Sequence, residues 1–406
     1  MLPSRNSLAV IGAGPIGLET ALAALDAGLD VHVFERGAIG AHPAAWGHVR
    51  MFTPWRMNVG PVTRAHLERT GWTMPDAEAF PTGAELVERL LAPAAALPEL
   101  AARVHAHAQV VHVSRRGALK GDFTGQPAER RARPFRLLVR DPGGRENFIH
   151  AFALVDASGV YGQPNRAGDG GVPARQELYL APQISYYADD VLGLVRERHA
   201  GRTTFVLGGG ASAATTVDAL ARLAADVPNT RVVWVTRATA ERVMPGVAND
   251  PLPGRDALAK RAQALAAGAD PAVRHVGGAV LEGLEFNSAT HRYRANLRIG
   301  EELRNEDADR VIVNTGYGPD LALLAELQVH TCYSTFGTLP LASVLAGSTD
   351  CLSVPVTGIA QLAHPEPDLF VLGHKAYGRN PHFLLETGYR QVADVVAHLA
   401  RDLVVA

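Results

Sequence analysis

The chain has 406 residues, which is more than one hydrophobic core usually supports, so its length predicts two domains. Its 39 Lys and Arg residues nearly balance its 41 Asp and Glu residues, which argues against nucleic acid as a partner. The two cysteines, Cys332 and Cys351, are too few and too far apart for a disulfide framework, a zinc cluster or a CxxC redox pair. The apolar run near the N-terminus is too short for a signal peptide or a membrane span, so we expect a soluble, cytoplasmic protein.

Residues 8–36 show the pattern of a strand, a helix and a second strand. An apolar run over 8–11 predicts a parallel strand that is buried on both faces. The alanine- and leucine-rich residues 16–27 predict a helix, and residues 30–34 predict the next strand. Together they predict one βαβ unit.

A GxGxxG motif joins the first strand to this helix. Gly12 permits the tight turn, Gly14 lets the backbone approach a pyrophosphate, and Gly17 lets the helix pack on the strand. The helix N-terminus then presents unpaired amides to the phosphates. Glu35 closes the second strand, where a carboxylate accepts from both ribose hydroxyls of an adenosine and repels a 2′-phosphate. The predicted dinucleotide contacts are Gly12, Gly14, Pro15, Gly17, Glu35 and Arg36.

The middle of the first domain predicts helices over 61–102 and strands over 104–113 and 135–140. The DPGG turn then leads to a further strand over 147–157. A three-stranded antiparallel meander that precedes a strand ending in Ala-Ser-Gly is typical of FAD-binding Rossmann domains.

Residues 203–237 repeat the βαβ plan. Residues 203–207 predict a strand, residues 217–224 continue a helix, and an alanine takes the third glycine position, where a methyl group still permits close packing. The predicted dinucleotide contacts here are Gly208, Gly210, Ser212, Ala213 and Arg237.

The second strand of this unit ends in Arg237 rather than in a glutamate. A guanidinium at that place binds a 2′-phosphate, which favours NADPH over NADH; the alternative is a solvated surface arginine. One unit that ends in Glu35 and another that ends in Arg237 predict two different dinucleotides. A flavoprotein that is reduced by a nicotinamide needs both, with their clefts facing each other.

The order of the motifs GAGPIG, ASGVYGQP, GGGASA and NTGYGPD resembles that of flavoproteins with two dinucleotide domains. These are flavin-containing monooxygenases, related N-hydroxylating enzymes and, more distantly, thioredoxin reductases. The resemblance implies an α/β fold with two Rossmann-like dinucleotide-binding domains and an antiparallel β-meander. It also implies that an NAD(P)H domain, 185–310, is inserted in an FAD domain, 1–184 and 311–406, and that the cofactors are FAD and NADPH.

Two patterns of these families are missing. Disulfide and thioredoxin reductases carry CxxC or CxxxxC, which this chain lacks, so dithiol transfer is not expected. Flavin-containing and Baeyer–Villiger monooxygenases carry FxGxxxHxxx before their second glycine loop, and residues 178–191 do not match it. The absence of these two patterns does not affect the broad flavin chemistry that the resemblance implies.

The resemblance places the segment 37–60 over the isoalloxazine ring of the flavin. Its candidate neighbours are Trp46, His48, Arg50, Phe52 and Trp55. An arginine there binds a flavin phosphate or an anionic substrate group, and a neutral histidine shuttles protons. The alternative is that the two tryptophans lie in the core and that Arg50 is a surface charge.

The stretch VLGHKAYGRN, residues 371–380, places several polar side chains after the last predicted strand. The resemblance implies that this turn lies beside the flavin and that the helix over 386–403 aims its amides at the N1/O2 edge. The alternative is a solvated charged loop. The candidate catalytic residues are His48, Arg50, Lys375, Tyr377, Arg379 and Asn380. The resemblance implies further cofactor contacts by Trp46, Val110, Ser158, Gly159, Gly316, Gly373 and His374.

Three functions agree with these features. The first is an NADPH-dependent flavin monooxygenase that oxygenates N or S of a small molecule. The second is an NAD(P)H-dependent flavin reductase or dehydrogenase of a small organic substrate, without oxygen insertion. The third is a nucleotide-binding redox sensor without turnover. No metal is expected, and the helices of 61–102 offer a surface for a homodimer.

Overall fold

The computed structural model describes residues 3–348, 350–353 and 358–403. The chain forms two compact units: unit 1 contains Met1–Gln163 and Gly318–Ala406, and unit 2 contains Pro164–Tyr317. Unit 2 is therefore inserted in unit 1, as predicted. Its boundaries lie at 164 and 317 rather than at the predicted 185 and 310.

Both units contain strands and helices within the described residues. The strands are β1 Ser7–Ile11, β2 Asp30–Phe34, β3 Val104–His105, β4 Gln109–Arg115, β5 Phe135–Arg140, β6 Glu146–Ala151, β7 Ala153–Asp156, β8 Thr203–Leu207, β9 Arg231–Val235, β10 Val273–Val276, β11 Ala279–Asn287, β12 Arg292–Ile299, β13 Glu302–Ala308, β14 Arg310–Val313 and β15 Leu369–Val371. The helices are α1 Pro15–Asp26, α2 Ala41–Ala45, α3 Trp55–Asn58, α4 Pro61–Glu68, α5 Gly83–Leu86, α6 Ala92–Ala95, α7 Pro98–Ala101, α8 Pro127–Arg131, α9 Glu177–Leu180, α10 Arg196–His199, α11 Ala211–Asp226, α12 Pro253–Ala266, α13 Leu339–Leu345, α14 Ile359–Leu362, α15 His374–Tyr377 and α16 Leu385–Leu403.

Unit 1 is built on a five-stranded parallel sheet in the order β15-β7-β1-β2-β3. Every residue of β1 is buried, as expected for a central strand that is covered on both faces. The carboxyl ends of β1, β2 and β7 meet at one edge of this sheet. Open parallel sheets bind ligands at that edge.

A three-stranded antiparallel meander, β4-β5-β6, completes unit 1. β5 spans the predicted residues 135–140. The predicted strand over 147–157 is two strands, because the Phe152 amide leaves the meander and donates to Ser7 O at 3.1 Å and to Ser7 Oγ at 3.0 Å. As a result β6 stays in the meander and β7 enters the parallel sheet.

Unit 2 combines a four-stranded parallel sheet, in the order β10-β9-β8-β14, with the antiparallel sheet β11-β12-β13. β8 spans the predicted residues 203–207. β14 pairs in parallel with β8, so the NTGYGPD stretch begins inside unit 2. The predicted fold class of two Rossmann-like domains with a meander is confirmed.

The earlier start of unit 2 has a packing cause. Residues 164–184 carry four buried apolar side chains that join the same hydrophobic cluster as β8 and β11: Ala167, Ala174, Leu180 and Ile184. Arg175 also bridges to Gly283 in β11. The segment therefore belongs to the core of unit 2. Among the described residues, no helix combines the length and apolar character that a membrane span requires.

Candidate functional site

The first glycine loop turns between β1 and α1 in the way that its motif predicts. Gly12 has a φ of +101°, and a Cβ on Gly17 would lie 1.9 Å from the carbonyl oxygen of Gly12. No atom lies within 4 Å of the place that a Cβ on Gly14 would take. Two glycines are thus required by the protein itself, whereas Gly14 faces open space at the edge of the sheet.

The α1 N-terminus and Glu35 border that open space. Gly14 is the N-cap of α1, and no side chain caps the helix, so the positive end of its dipole faces the loop. The Glu35 carboxylate accepts from the Ala13 amide at 2.9 Å and from the Gly37 amide at 2.7 Å. These bonds hold the acid beside the glycine loop, where its remaining lone pairs can accept ribose hydroxyls.

His42 also lies at this edge and was missed by the sequence analysis. Its Nδ1 lies 3.6 Å from the position of a Cβ on Gly159, and its Nε2 lies 3.6 Å from that of a Cβ on Gly162. Burial lowers the pKa of His42; Glu35 opposes this shift and Arg36 adds to it. Nothing in the sequence distinguishes His42 among the 16 histidines, because its neighbours on the 158–162 turn are distant in the chain.

A buried ion pair lies under the predicted polar stretch. Lys375 Nζ donates to Asp156 Oδ2 at 2.6 Å and to Ser158 Oγ at 3.0 Å. Ser158 Oγ in turn donates to Asp156 Oδ1 at 2.6 Å. The side chains of Asp156 and Lys375 are both 0% exposed. Asp156, which the sequence analysis missed, therefore ties α15 to the turn that follows β7.

The residues around Lys375 form the short helix α15 rather than the predicted loop. Burial lowers the pKa of His374 to about 4 and raises the pKa of Tyr377 to about 12. Both rings contact Phe383, His374 in a stacked arrangement at 5.5 Å and Tyr377 with its edge at 5.4 Å. At neutral pH His374 is therefore neutral and Tyr377 keeps its proton. The Gly373 amide donates to the buried Gln391 side chain at 2.9 Å.

The end of the polar stretch stays at the surface. Arg379 is exposed, and its guanidinium lies 4.6 Å from the centre of the Phe336 ring. Asn380 Oδ1 accepts from the His382 amide at 2.9 Å. Of the four polar residues that were predicted to line the substrate cavity or hold the flavin, Lys375 and Tyr377 thus lie in the interior, Arg379 is exposed and Asn380 is half-buried.

The segment 37–60 gives a mixed result. Trp55 is 2% exposed and lies in the hydrophobic core, so the core alternative holds for this residue. The half-buried Trp46 packs on Gly83, where a Cβ would lie 2.5 Å from its ring. His48 is exposed, and Arg50 is an exposed side chain that donates to the carbonyl oxygen of Phe80. Val110 is a buried residue of β4, paired with Val139.

The second glycine loop repeats this geometry in unit 2. Gly208 has a φ of +140°, and a Cβ there would lie 2.2 Å from the carbonyl oxygen of Asn314. Ala213 is fully buried, as predicted for the third position of the motif. Gly210 is the N-cap of α11, and no atom lies within 4 Å of a Cβ placed on it. Ser212 is half-buried in the first turn of the same helix.

The end of β9 presents Arg237 to solvent. The preceding Thr236 is fixed, because its Oγ1 donates to Ala238 O at 2.6 Å and lies 2.8 Å from His275 Nε2. Gly316, beyond β14, has a φ of +84° and accepts from the Asn165 amide at 2.9 Å. Arg237 and Gly316 thus follow strands on opposite sides of the second loop.

Comparisons with known proteins agree with this geometry. The family model described as pyridine nucleotide-disulphide oxidoreductase matches residues 7–39, which contain the first glycine loop. The comparison with curated proteins gave no match.

Among solved structures, the bacillithiol disulfide reductase of Bacillus cereus is similar, with 18% identity, a TM-score of 0.69, and coverage of 98% of this chain and 99% of that chain. The ornithine N-hydroxylase of Kutzneria sp. 744 has 18% identity, a TM-score of 0.63, and coverage of 98% and 100%. The thioredoxin reductase of T. acidophilum has 12% identity, a TM-score of 0.55, and coverage of 98% and 97%. The chain therefore shares its fold with these two reductases and this hydroxylase.

The predicted resemblance to N-hydroxylating enzymes and thioredoxin reductases is thereby confirmed as a likeness of fold. A disulfide reductase also shares this fold, a class that the missing cysteine motif had set aside. Among the described residues, no group of three or more His, Cys, Asp or Glu side chains is placed to hold a metal ion.

Proposed function

We propose that the protein is an FAD-dependent oxidoreductase that takes its electrons from NADPH. One observation carries the proposal: each unit has a glycine loop at the carboxyl edge of a parallel sheet, with an uncapped helix N-terminus behind it. Gly14 and Gly210 each leave free the space that a pyrophosphate needs. The family match over residues 7–39 and the Kutzneria structure with reduced FAD and NADP⁺ support the same assignment.

The two strand ends distinguish the nucleotides. Glu35 beside the first loop favours the unphosphorylated ribose of FAD, because its carboxylate repels a 2′-phosphate. The exposed Arg237 favours the 2′-phosphate of NADPH at the second loop. Unit 1 is accordingly proposed to bind FAD and unit 2 to bind NADPH. The predicted domain assignment is kept, with the boundaries moved to 163/164 and 317/318.

The residues of unit 1 would orient the flavin and control protons around it. When bound, FAD would accept a hydride and pass on its two electrons, which is chemistry that amino-acid side chains do not supply. The pair Asp156–Lys375 fixes the Ser158 turn and α15 against each other. Tyr377 keeps its proton because burial raises its pKa to about 12. His374 stays neutral, since burial lowers its pKa to about 4, and so would add no charge to the site of a flavin bound in unit 1.

We further propose that the reaction is oxygenation of N or S in a small molecule. Substrate, O₂, NADPH and a proton would give the oxygenated product, NADP⁺ and water, so that one oxygen atom goes to each of product and water. Cys332 and Cys351 do not form a CxxC or CxxxxC pair, which disfavours a dithiol relay. The likeness to the Kutzneria ornithine N-hydroxylase supports this class.

A reductase without oxygen insertion is the second candidate. The likeness to the Bacillus cereus bacillithiol disulfide reductase covers nearly all of both chains and favours it. Hydrogen bonds from Ser334 and Thr335 lower the pKa of Cys332 to about 7, so a single thiolate is available near neutral pH. A redox sensor without turnover would consume no NADPH with any substrate.

The decisive experiment follows the oxygen atom. Purified protein is supplied with NADPH, ¹⁸O₂ and a panel of amines, thioethers and small disulfides, and the products are weighed by mass spectrometry. We expect one ¹⁸O atom in the product of an amine or a thioether for each NADPH consumed. Substrate reduction under argon, with the same consumption of NADPH, would instead establish the reductase. Protein purified without bound flavin that also fails to bind added FAD would contradict both.

Matched glycine variants test the two nucleotide sites separately. Gly14 and Gly210 both have extended backbone angles and open space around them, so Ala is expected to change the unfolding free energy by less than about 0.5 kcal/mol. A methyl group would meet an incoming pyrophosphate, so Gly14→Ala is expected to weaken FAD binding about ten-fold or more. Gly210→Ala should do the same for NADP⁺ alone. Each variant is the control for the other, measured by flavin fluorescence and calorimetry.

A further inference from the structure

Two basic side chains lie over one glycine at the carboxyl edge of the sheet in unit 1. A Cβ on Gly162 would lie 2.9 Å from Arg36 Nη2 and 3.6 Å from His42 Nε2. Gly162 does not have a left-handed φ, so its backbone does not require a glycine. The missing side chain instead leaves room for the guanidinium and the imidazole, which both face this residue.

The backbone holds His42 close to the first glycine loop. The helix α2 begins after Gly40, whose amide donates to Ala13 O at 3.2 Å. The His42 ring packs against the turn that follows β7, with its centroid 5.6 Å from that of the Tyr161 ring. The ring is half-buried, and neither of its nitrogens makes a hydrogen bond to any other residue that the structure describes. His42 therefore has a donor available beside the loop.

The acidic side chains around His42 are held by other groups. Both oxygens of Glu35 accept backbone amides, at 2.9 and 2.7 Å. Two acids on neighbouring elements, the end of β7 and α5, are also engaged: Asp156 pairs with Lys375, and Glu85 belongs to the capping box of its own helix. No acid of this neighbourhood is thus left to pair with a histidinium.

An anion would complete this arrangement. Burial lowers the pKa of His42 below its ordinary value of 6.5; Glu35 opposes this shift and Arg36 adds to it, so the imidazole is largely neutral at neutral pH. Arg36, His42 and the uncapped N-terminus of α1 lie around the same end of β1, and all three favour a negative charge. In oxidised FAD the pyrophosphate is the charged group, and a glycine loop is where it binds.

We propose that His42 donates a hydrogen bond to the pyrophosphate of FAD and takes up a proton as FAD binds. This inference rests on the proposed function, because it takes unit 1 to be the FAD domain. A nearby phosphate stabilises the imidazolium, so the pKa of His42 is higher with FAD bound than without it. Between these two pKa values the binding of FAD consumes a proton, and the affinity for FAD rises as the pH falls.

Two ligands test this inference across a range of pH. Protein freed of flavin is titrated with FAD, followed by flavin fluorescence. ADP-ribose, which keeps the adenosine and the pyrophosphate but lacks the flavin, is measured by its competition with FAD. The pyrophosphate of both ligands stays ionised in the range used, so we expect both to bind at least about five-fold more tightly at about pH 6 than at about pH 8. His42→Gln, which keeps a donor but cannot become charged, should abolish this difference for both ligands.

A second histidine and a second measurement serve as controls. His112 is exposed on β4, so His112→Gln should keep the pH dependence of the unchanged protein. Calorimetry of the unchanged protein in buffers of different ionisation enthalpy needs no variant, and it should show that FAD binding takes up protons near neutral pH.

The same pH dependence in His42→Gln as in the unchanged protein, or FAD binding without proton uptake, would overturn the inference. An effect of His42→Gln on FAD but not on ADP-ribose would also overturn it, since it would place His42 at the flavin. In each case, FAD binding that Gly14→Ala weakens would leave the proposed function intact. An unchanged protein that does not bind FAD would refute the proposed function, and the inference with it.

Discussion

Replacing Asp156 by Asn is expected to lower the free energy of unfolding by about 3–5 kcal/mol, because it leaves the buried Lys375 ammonium without its counter-charge. The two side chains are 0% exposed and 2.6 Å apart, so water cannot compensate for the loss. Lys375→Met should lower the free energy of unfolding by a similar amount, because it leaves the buried Asp156 carboxylate without its counter-charge. The double variant D156N/K375M removes both charges and is expected to recover most of the stability.

Urea unfolding at neutral pH provides the measurement, and the exposed pair Arg56–Glu78 provides the control. Both of its side chains are more than half exposed, so Glu78→Gln is expected to cost less than about 1 kcal/mol. A loss for Asp156→Asn as small as that for Glu78→Gln would contradict the expectation. The flavin content of the double variant adds a second readout: stability that returns without flavin would mean that the Asp156–Lys375 pair contributes to cofactor binding.

Replacing Glu366 by Gln is expected to destabilise unit 1 by about 3–5 kcal/mol, because one carboxylate serves two buried arginines. Glu366 Oε1 accepts from Arg115 at 2.8 Å, Oε2 accepts from Arg130 at 2.7 Å, and the Gln328 amide adds a bond of 2.9 Å. All three side chains in these ion pairs are at most 1% exposed. The amide would remove the carboxylate that both buried guanidinium groups contact.

The same carboxylate gives a pH dependence with a definite sign. Burial alone would raise the pKa of Glu366, but the bonds from Arg130, Gln328 and Arg115 outweigh it and lower the pKa below its ordinary value of 4.5. A pKa that is lower in the folded state contributes stability above pH 4.5, and this contribution is lost as the pH falls through the folded value. Unfolding curves of the unchanged protein should therefore show an acid-dependent contribution that Glu366→Gln lacks.

The exposed i,i+4 pair Arg64–Glu68 offers the matched control for this measurement. Its side chains are 50% and 46% exposed, so Glu68→Gln should leave both the stability at neutral pH and the acid dependence nearly unchanged. Parallel acid dependence in Glu366→Gln and in the unchanged protein would contradict the assigned role of Glu366.

Sequence reasoning was most successful where the determining interactions are local. β2, β5 and β8 span the predicted residues, because an apolar run that ends in a glycine turn or a charged residue defines a strand within a few positions. The strand ends then place Glu35 and Arg237 at the sheet edges without further information. The predicted domain boundaries were less accurate. Residues 164–184 have only a weak sequence pattern, and they join the core of unit 2 through contacts with residues far along the sequence.

The polar stretch near the C-terminus shows the limit of this reasoning. Lys375 and Arg379 look alike in the sequence, yet one is buried and the other exposed. What separates them is a partner: Asp156 lies 219 residues from Lys375 in the chain. A buried charge persists only with such a partner, and no local pattern reveals which residue that is.

The sequence by itself determined the two βαβ units, their glycine loops and the acid and the arginine that end their second strands, since backbone turns and side-chain alternation are encoded over a few residues. Only the tertiary structure decided the domain boundaries, the Asp156–Lys375 pair and the place of His42. These features arise because folding brings residues together that are distant in the sequence. In the interior, where the dielectric constant is low, the interaction energy of two groups depends on their contact and burial and not on residue type alone.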